Sequence, residues 1–248
     1  LEIAATDLEV GIRGFHPADV SKAGSLTVSA RKLFEIVREL PEEPVQLAAT
    51  ANSYLEIHCG RSRFTLAGTA AEEFPTLPEF SPSAMVRLPA AVISSLIERT
   101  MYAASLDETR YNLNGVYFEL VEEGAKIRMV ATDGHRLAMV DRILTAGASD
   151  LASGVILPRK GLAELKRLVD EDDSDEIDLG IEGNSALVRK GEVTLTMRLI
   201  EGEFPNYRQV LPKVVSRKVT MPSDTLSQAL RRVALLSVER SQAVRVEL

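Results

Sequence analysis

The chain holds one cysteine, three histidines and no long apolar run in 248 residues. A lone Cys59 excludes an internal disulfide and a cysteine-based zinc site. It falls in an alternating, strand-like stretch and reads as a packed thiol rather than a nucleophile. His16, His58 and His135 include no pair at metal-ligand spacing, so no metal is expected. No apolar run approaches the roughly 18–20 residues of a membrane span. No signal-peptide pattern is visible either, and a cytoplasmic protein without a membrane partner is the default expectation. Phosphate-binding loops, glycine-rich nucleotide fingerprints and nucleophile motifs are missing, so neither a cofactor nor a catalytic residue is assigned. Excess positive charge is also lacking. The net charge of −7 argues against nucleic-acid binding through the whole surface but leaves room for one basic face.

What is present is an ordinary globular composition, repeated. Hydrophobic residues make up 45% and charged residues 26%, and the length suits about two domains. Leu1–Ile12 reads like Ile127–Val140, with Thr6-Asp7 answering Thr132-Asp133. Val28–Val37 returns as Leu157–Leu165, and Glu73-Phe74-Pro75 as Glu203-Phe204-Pro205. These landmarks keep their order at a period of about 130 residues, which means tandem domains rather than a solenoid. A third copy begins: Val86–Ile97 resembles Val219–Leu230, and Val116–Leu120 resembles Val244–Leu248. The expected organisation is a first domain over 1–81 without its opening part, a complete second domain over 82–212, and the start of a third over 213–248. The chain is accordingly expected to be a piece of a longer, three-domain protein.

Short β-rich or alternating runs predict strands over Leu1–Ile12, Val45–Ala49, Tyr54–Cys59, Arg63–Ala67, Val116–Val121 and Lys126–Thr132. Further strands are predicted over Leu137–Ile143, Ile177–Ile181, Ala186–Lys190 and Val193–Leu199. Gly124, Gly183 and Gly191 mark hairpin turns. A 3.6-residue periodicity predicts helices over Ala30–Leu40, Ala90–Ala104, Lys160–Asp170 and Ser223–Ser237. Ser29, and Ser223 with Asp224, offer N-cap oxygens. The fold class is therefore α+β, with repeated domains of two helices packed on antiparallel sheets. Linkers are expected at Leu77–Ser83 and Pro212–Arg217, and the acidic run Asp170–Asp178 reads as a solvated loop.

Basic residues recur on the helices: Arg31, Lys32 and Arg38 on one, Lys160, Lys166 and Arg167 on its repeat counterpart, Arg231 and Arg232 on the last. Any one of them is ordinary surface charge. Equivalent helices in repeated domains would present these cations on one face, a pattern suited to a phosphate backbone touched without base readout.

The sharpest local signature is Ala131-Thr-Asp-Gly-His-Arg-Leu-Ala138. Asp133 and His135 stand two apart in a strand-like stretch, with Gly134 expected as a bulge, and no nucleophile accompanies them. Together with Gly60–Phe64, Arg110–Gly115, Pro158–Gly161 and Phe204–Arg208, this motif resembles the bacterial β sliding clamp family, the processivity subunit of the replicative DNA polymerase. The resemblance covers the whole chain. It implies the DNA clamp fold, a ring-shaped homodimer around double-stranded DNA, and no catalysis. Partners would be the DNA polymerase III alpha subunit, its exonuclease-bearing complex, the clamp loader and other proteins with a clamp-binding motif.

By the same resemblance, the partner-peptide pocket would include Leu113, Thr132, Gly134, His135, Arg136, Leu137, Pro205 and Val210, with a third-domain strand completing it. Leu113 and Leu137 also read as core, which the resemblance outweighs. Gln209 stands where the family often has arginine, and Asn112 where an aromatic residue is common. DNA contacts would come from Arg31, Tyr111, Lys160 and Arg167. The dimer seam would use Arg61, Arg63 and Phe64 against Leu235 and Leu236, although Phe64 reads equally well as core. A peptide-binding adaptor without DNA, and a hydrolase built on Asp133 and His135, are the alternatives.

Overall fold

The computed structural model describes residues 1–81, 85–107, 109–144, 151–170, 176–212, 217–235 and 244–247. The first repeat supplies strands β1 (Glu2–Thr6), β2 (Val10–Phe15) and β3 (Thr27–Val28), helix α1 (Ala30–Arg38), and strands β4 (Gln46–Ala49), β5 (Tyr54–Cys59) and β6 (Ser62–Thr69). The second supplies β7 (Met85–Pro89), α2 (Ala90–Thr100), β8 (Gly115–Val121), β9 (Lys126–Thr132), β10 (Leu137–Ile143), β11 (Val155–Pro158) and α3 (Arg159–Asp170). It continues through β12 (Glu176–Glu182), β13 (Ser185–Lys190) and β14 (Val193–Arg198), and α4 (Ser223–Ala234) follows. The strand pairings are antiparallel, so the α+β class is as expected.

Among the described residues three sheets form, in the strand orders β1-β2-β14-β13-β12-β7, β10-β9-β8-β11 and β3-β6-β5-β4. The first one crosses between repeats. β2 pairs with β14 from Gly14 opposite Val193 to Val10 opposite Met197, so two repeats share one ladder of backbone hydrogen bonds. No residue pattern announces this pairing, because either strand would read the same as an edge.

α2 and α3 pack on each other and on the sheets of the second repeat. α2 buries Ile93, Leu96, Ile97 and Thr100, and α3 buries Leu162, Leu165 and Val169, the spacing of one helical face in each case. The Thr100 hydroxyl donates to the Leu96 carbonyl (2.6 Å), which satisfies it inside the core. Full burial of each aliphatic side chain contributes roughly 1.5–3 kcal/mol. α1 is different: Phe34 and Val37 are 63% and 45% exposed, where their repeat counterparts Leu162 and Leu165 are 0% and 3% exposed. The Cys59 thiol is buried and directed at the carbonyls of Pro41 and Glu43, as a packed thiol should be.

Several expectations are corrected. The run Leu1–Ile12 is not one strand but a hairpin, because the Asp7 side chain accepts backbone N–H groups from Glu9 and Val10 and turns the chain there. β3, β7 and β11 are additional; each is short and runs almost directly into a helix, which hides a period of two. α2 ends at Thr100 and continues as a 3-10 turn, Met101–Ala103. Ser29 does cap α1, accepting the Lys32 N–H (3.5 Å), but the N-cap of α4 is Pro222, with no side-chain cap. Ser223 and Asp224 instead lie inside its first turn.

Candidate functional site

The Thr132 motif is a four-residue turn, not a strand with a bulge. Thr132 pairs with Leu137 across the β9–β10 hairpin, and residues 133–136 close it. The Thr132 hydroxyl donates to the Arg136 carbonyl (2.6 Å) and accepts the Gly134 N–H (3.1 Å). One Asp133 oxygen accepts the N–H groups of His135 (2.9 Å) and Arg136 (3.0 Å), and the other accepts from the Arg136 guanidinium (3.0 Å). Desolvation pushes the Asp133 carboxyl up, but these donors outweigh it and hold the pKa below the ordinary value. Gly134 takes φ 88°, the left-handed region that glycine enters without penalty. Asp133 is thus spent on shaping the turn, and its hydrogen bond to His135 goes to the backbone N–H. The Asp–His pair loses its catalytic look.

The first repeat builds the same turn. Thr6 pairs with Gly11; the Thr6 hydroxyl donates to Val10 (2.9 Å) and accepts from Leu8 (3.0 Å). Asp7 accepts from Glu9 (3.1 Å) and Val10 (3.0 Å). The sequence repeat is therefore a repeat of hydrogen-bond architecture.

Leu113 sits in a 3-10 turn, Tyr111–Leu113, and is 8% exposed. Flanking residues tie this turn to both other parts of the predicted pocket. Arg110 donates to the Asp133 carbonyl (2.9 Å), and the Asn112 amide donates to the Glu203 carbonyl (3.0 Å). Thr132 and Leu137 are half-buried, while Gly134, His135, Arg136, Pro205 and Val210 are exposed. The Arg136 guanidinium lies 5.8 Å from the Tyr102 ring centroid, within cation–π range. A cleft of about 530 Å³ opens beside this region, lined by Tyr117 and the segment 204–209. Of the eight predicted pocket residues it includes only Pro205.

The support beneath that cleft is what sequence reasoning missed. Glu119, Arg128 and Asp141 stand opposite one another across β8, β9 and β10. Arg128 grips Asp141 with two hydrogen bonds (2.7 and 2.8 Å) and reaches the Tyr207 hydroxyl (3.1 Å). Glu119 accepts from the Tyr207 hydroxyl and twice from Arg208 (2.9 and 2.8 Å). Desolvation raises the Tyr207 pKa, and its bond to Glu119 raises it further; the same carboxylate raises that of Arg208. Tyr117 stacks on Phe204 with centroids 5.0 Å apart. The legible signal was the alternation of opposite charges at facing strand positions.

The predicted DNA cations lie on the surface, each with a carboxylate. Arg31 pairs with Glu35 (3.0 Å), Arg167 with Glu164 (3.0 Å), and Lys160 with Asp7 and Glu9, the latter at 3.2 Å. The Lys160 hydrogen bond to Asp7 lowers the Asp7 pKa and raises that of Lys160. Tyr111 is exposed beside Gly202. Arg61, Arg63 and Phe64 are exposed, Phe64 by 39%, so it is not plain core. Leu235 is exposed, and Leu236 lies outside the described residues. Among the described residues no cluster of His, Cys, Asp and Glu could hold a metal ion, and no helix is long and apolar enough to cross a membrane.

Comparison with known proteins agrees along the whole chain. Residues 1–78 match the family model described as DNA polymerase III beta subunit, N-terminal domain, and residues 87–206 match the central domain of the same subunit. The beta sliding clamp of Proteus mirabilis is 38% identical over 100% of this chain, which spans 67% of that protein. The beta sliding clamp of Escherichia coli K12 is 37% identical over 99% of this chain and 66% of its own length. The solved structure of Caulobacter crescentus pol III beta superposes with a TM-score of 0.86 at 37% identity, covering 95% of this chain and 64% of that one. The chain belongs to the DNA polymerase III beta subunit family, the beta sliding clamps.

Proposed function

We propose that this chain is the greater part of a DNA sliding clamp: a homodimeric ring that encircles duplex DNA in the cytoplasm, tethers the replicative polymerase, and performs no chemistry itself. The observation that carries the reading is the fused sheet. β2 and β14 weld two repeats edge to edge, a mode of joining that can extend to a curved, closed assembly and leave equivalent helices to carry Arg31, Lys160 and Arg167. The domains would span 1–81, 82–212 and 213–248. Arg61, Arg63 and Phe64 of one subunit would meet Leu235 and Leu236 of the other. The Thr132 turn, Leu113, Pro205 and Val210 would receive the Leu and Phe side chains of a partner's clamp-binding motif, aided by His135 and Arg136. The test is topological. Full-length protein loaded on circular DNA should stay bound and should leave when the circle is cut. Equal retention on both would sink the ring.

One observation favours a second reading, a peptide-binding adaptor without DNA. Arg31, Lys160 and Arg167 all carry carboxylate partners, which lowers the potential available to phosphate. A marked loss of loading or processive synthesis in a Lys160→Glu, Arg167→Glu variant would remove that reading.

A further inference from the structure

The Thr6 turn and Pro75 are the first-repeat counterparts of the Thr132 turn and Pro205, and between them lies a separate cleft of about 170 Å³. Here the sheet of the following repeat is in place: Thr196 and Met197 of β14 form the far wall, and Leu8, Val10, Pro75 and Leu77 line the near side. The floor is Gly11, at the position of Leu137. A side-chain carbon there would come within 2.6 Å of the Thr196 hydroxyl and 2.7 Å of Leu77. The space beside Gly11 is thus taken by Leu77, which is 8% exposed.

The mouth carries an anomaly. Leu8 stands where the second repeat has Gly134, in the left-handed backbone region at φ 76°, and is 72% exposed. A leucine there is strained, and its side chain is left in water. Folding gains nothing from either feature, and glycine would relieve both. Strain held in this way marks a position kept for contact rather than for stability. At the same mouth lies Arg198, 60% exposed and only loosely paired with Glu201 at 3.6 Å.

We propose that this junction is a second docking site, which takes one aliphatic side chain of an extended peptide, with Leu8 closing over the anchor and Arg198 facing an acidic neighbour. The occupant follows from the repeat: the turn and the proline answer those assigned to the partner-peptide pocket, while Leu8, Val10, Leu77 and Met197 supply a different apolar lining, with room for a single anchor. The inference rests on that assignment.

The test is a titration of methyl-labelled full-length protein with a Gln-Leu-Asp-Leu-Phe peptide. Saturable shifts of the Leu8, Val10, Leu77 and Met197 methyls are expected, and they should persist in a Leu137→Ala variant. Leu8→Gly should weaken binding at this cluster at least tenfold while raising Tm, because the strained residue is gone. Shifts confined to Leu113, Leu137 and Val210 would overturn the second site and leave the main pocket standing. Silence in both clusters would remove the pocket assignment as well. An unchanged affinity in Leu8→Gly would also overturn the proposal, since the mouth would then do nothing.

Discussion

The ammonium of Lys160, in the first turn of α3, lies 3.2 Å from the Glu9 carboxylate on the β1–β2 turn and also bonds Asp7. One cation of the second repeat is thereby held by two carboxylates of the first. The pair is exposed, and exposed pairs contribute only about 0–1 kcal/mol, so the welded β2–β14 ladder rather than this bridge holds the junction. Its consequence is electrostatic.

Replacing Asp7 by Asn and Glu9 by Gln should free Lys160 without unfolding the junction. Duplex DNA should then bind the full-length protein more tightly at low salt. The slope of log K against log salt should steepen by about 1 for each additional phosphate neutralised. Fluorescence anisotropy across a salt series measures both. An unchanged slope would mean that Lys160 does not meet phosphate.

Leu137→Ala tests the proposed partner pocket, because Leu137 is only half-buried and its loss should leave the core intact. A peptide anchored on it should lose up to about 1.5–3 kcal/mol, a Kd weakened by roughly ten- to a hundredfold. Leu113 is nearly buried, so Leu113→Ala should also lower stability, by about 2–5 kcal/mol if the site behaves as core. Anisotropy titrations paired with thermal melts separate the two effects. Undiminished peptide binding by a folded Leu137→Ala protein would place the pocket elsewhere.

The extent to which the sequence disclosed this molecule depends on the range of the interaction involved. β9 and β10 were legible to the residue because their period of two is local, and α3 to within one residue because its apolar face is. The Thr6 and Thr132 turns were visible as a repeated motif, but not as turns: a Thr-Asp pair in a β-rich run looks like strand until its side chains are seen capping backbone N–H groups. The β2–β14 joint was illegible, since strand partners far apart in sequence leave no mark on either strand. Glu119 was missed for a related reason. Its partners Tyr207 and Arg208 lie almost ninety residues away, and only the facing charges of Arg128 and Asp141 hinted at it.

Glu119→Gln keeps the shape of that site and removes its charge. The carboxylate is 8% exposed and receives charge-assisted bonds from Arg208. Hydrogen bonds to charged groups contribute about 1.5–3 kcal/mol each, so a loss of that order is expected in denaturant unfolding. The 204–210 segment should loosen first, and the hydrogen-bonded amides of Gln209 and Val210 should exchange with solvent faster than in the parent, while those of β9 stay unchanged. Equal exchange in both proteins would show that Phe204 stacking on Tyr117 suffices to hold the segment.

The Arg128–Asp141 pair makes stability depend on pH in a stated direction. The hydrogen bonds from Arg128 hold the Asp141 pKa below its ordinary value, and Arg128 itself is pushed further up, so it stays charged throughout. A carboxylate with a depressed folded pKa binds fewer protons in the native state than in the unfolded state. Its contribution is therefore complete above the unfolded pKa and is lost as pH falls through the folded one. Asp7, Asp133 and Asp170 are lowered too, so the whole protein weakens in acid. Comparison with Asp141→Asn isolates the pair. At pH 7 the variant should melt well below the parent, and the two melting temperatures should converge as pH drops below the ordinary carboxylate range. A gap that stays constant down to pH 3 would show that Asp141 acts through shape alone, with its charge contributing nothing to the fold.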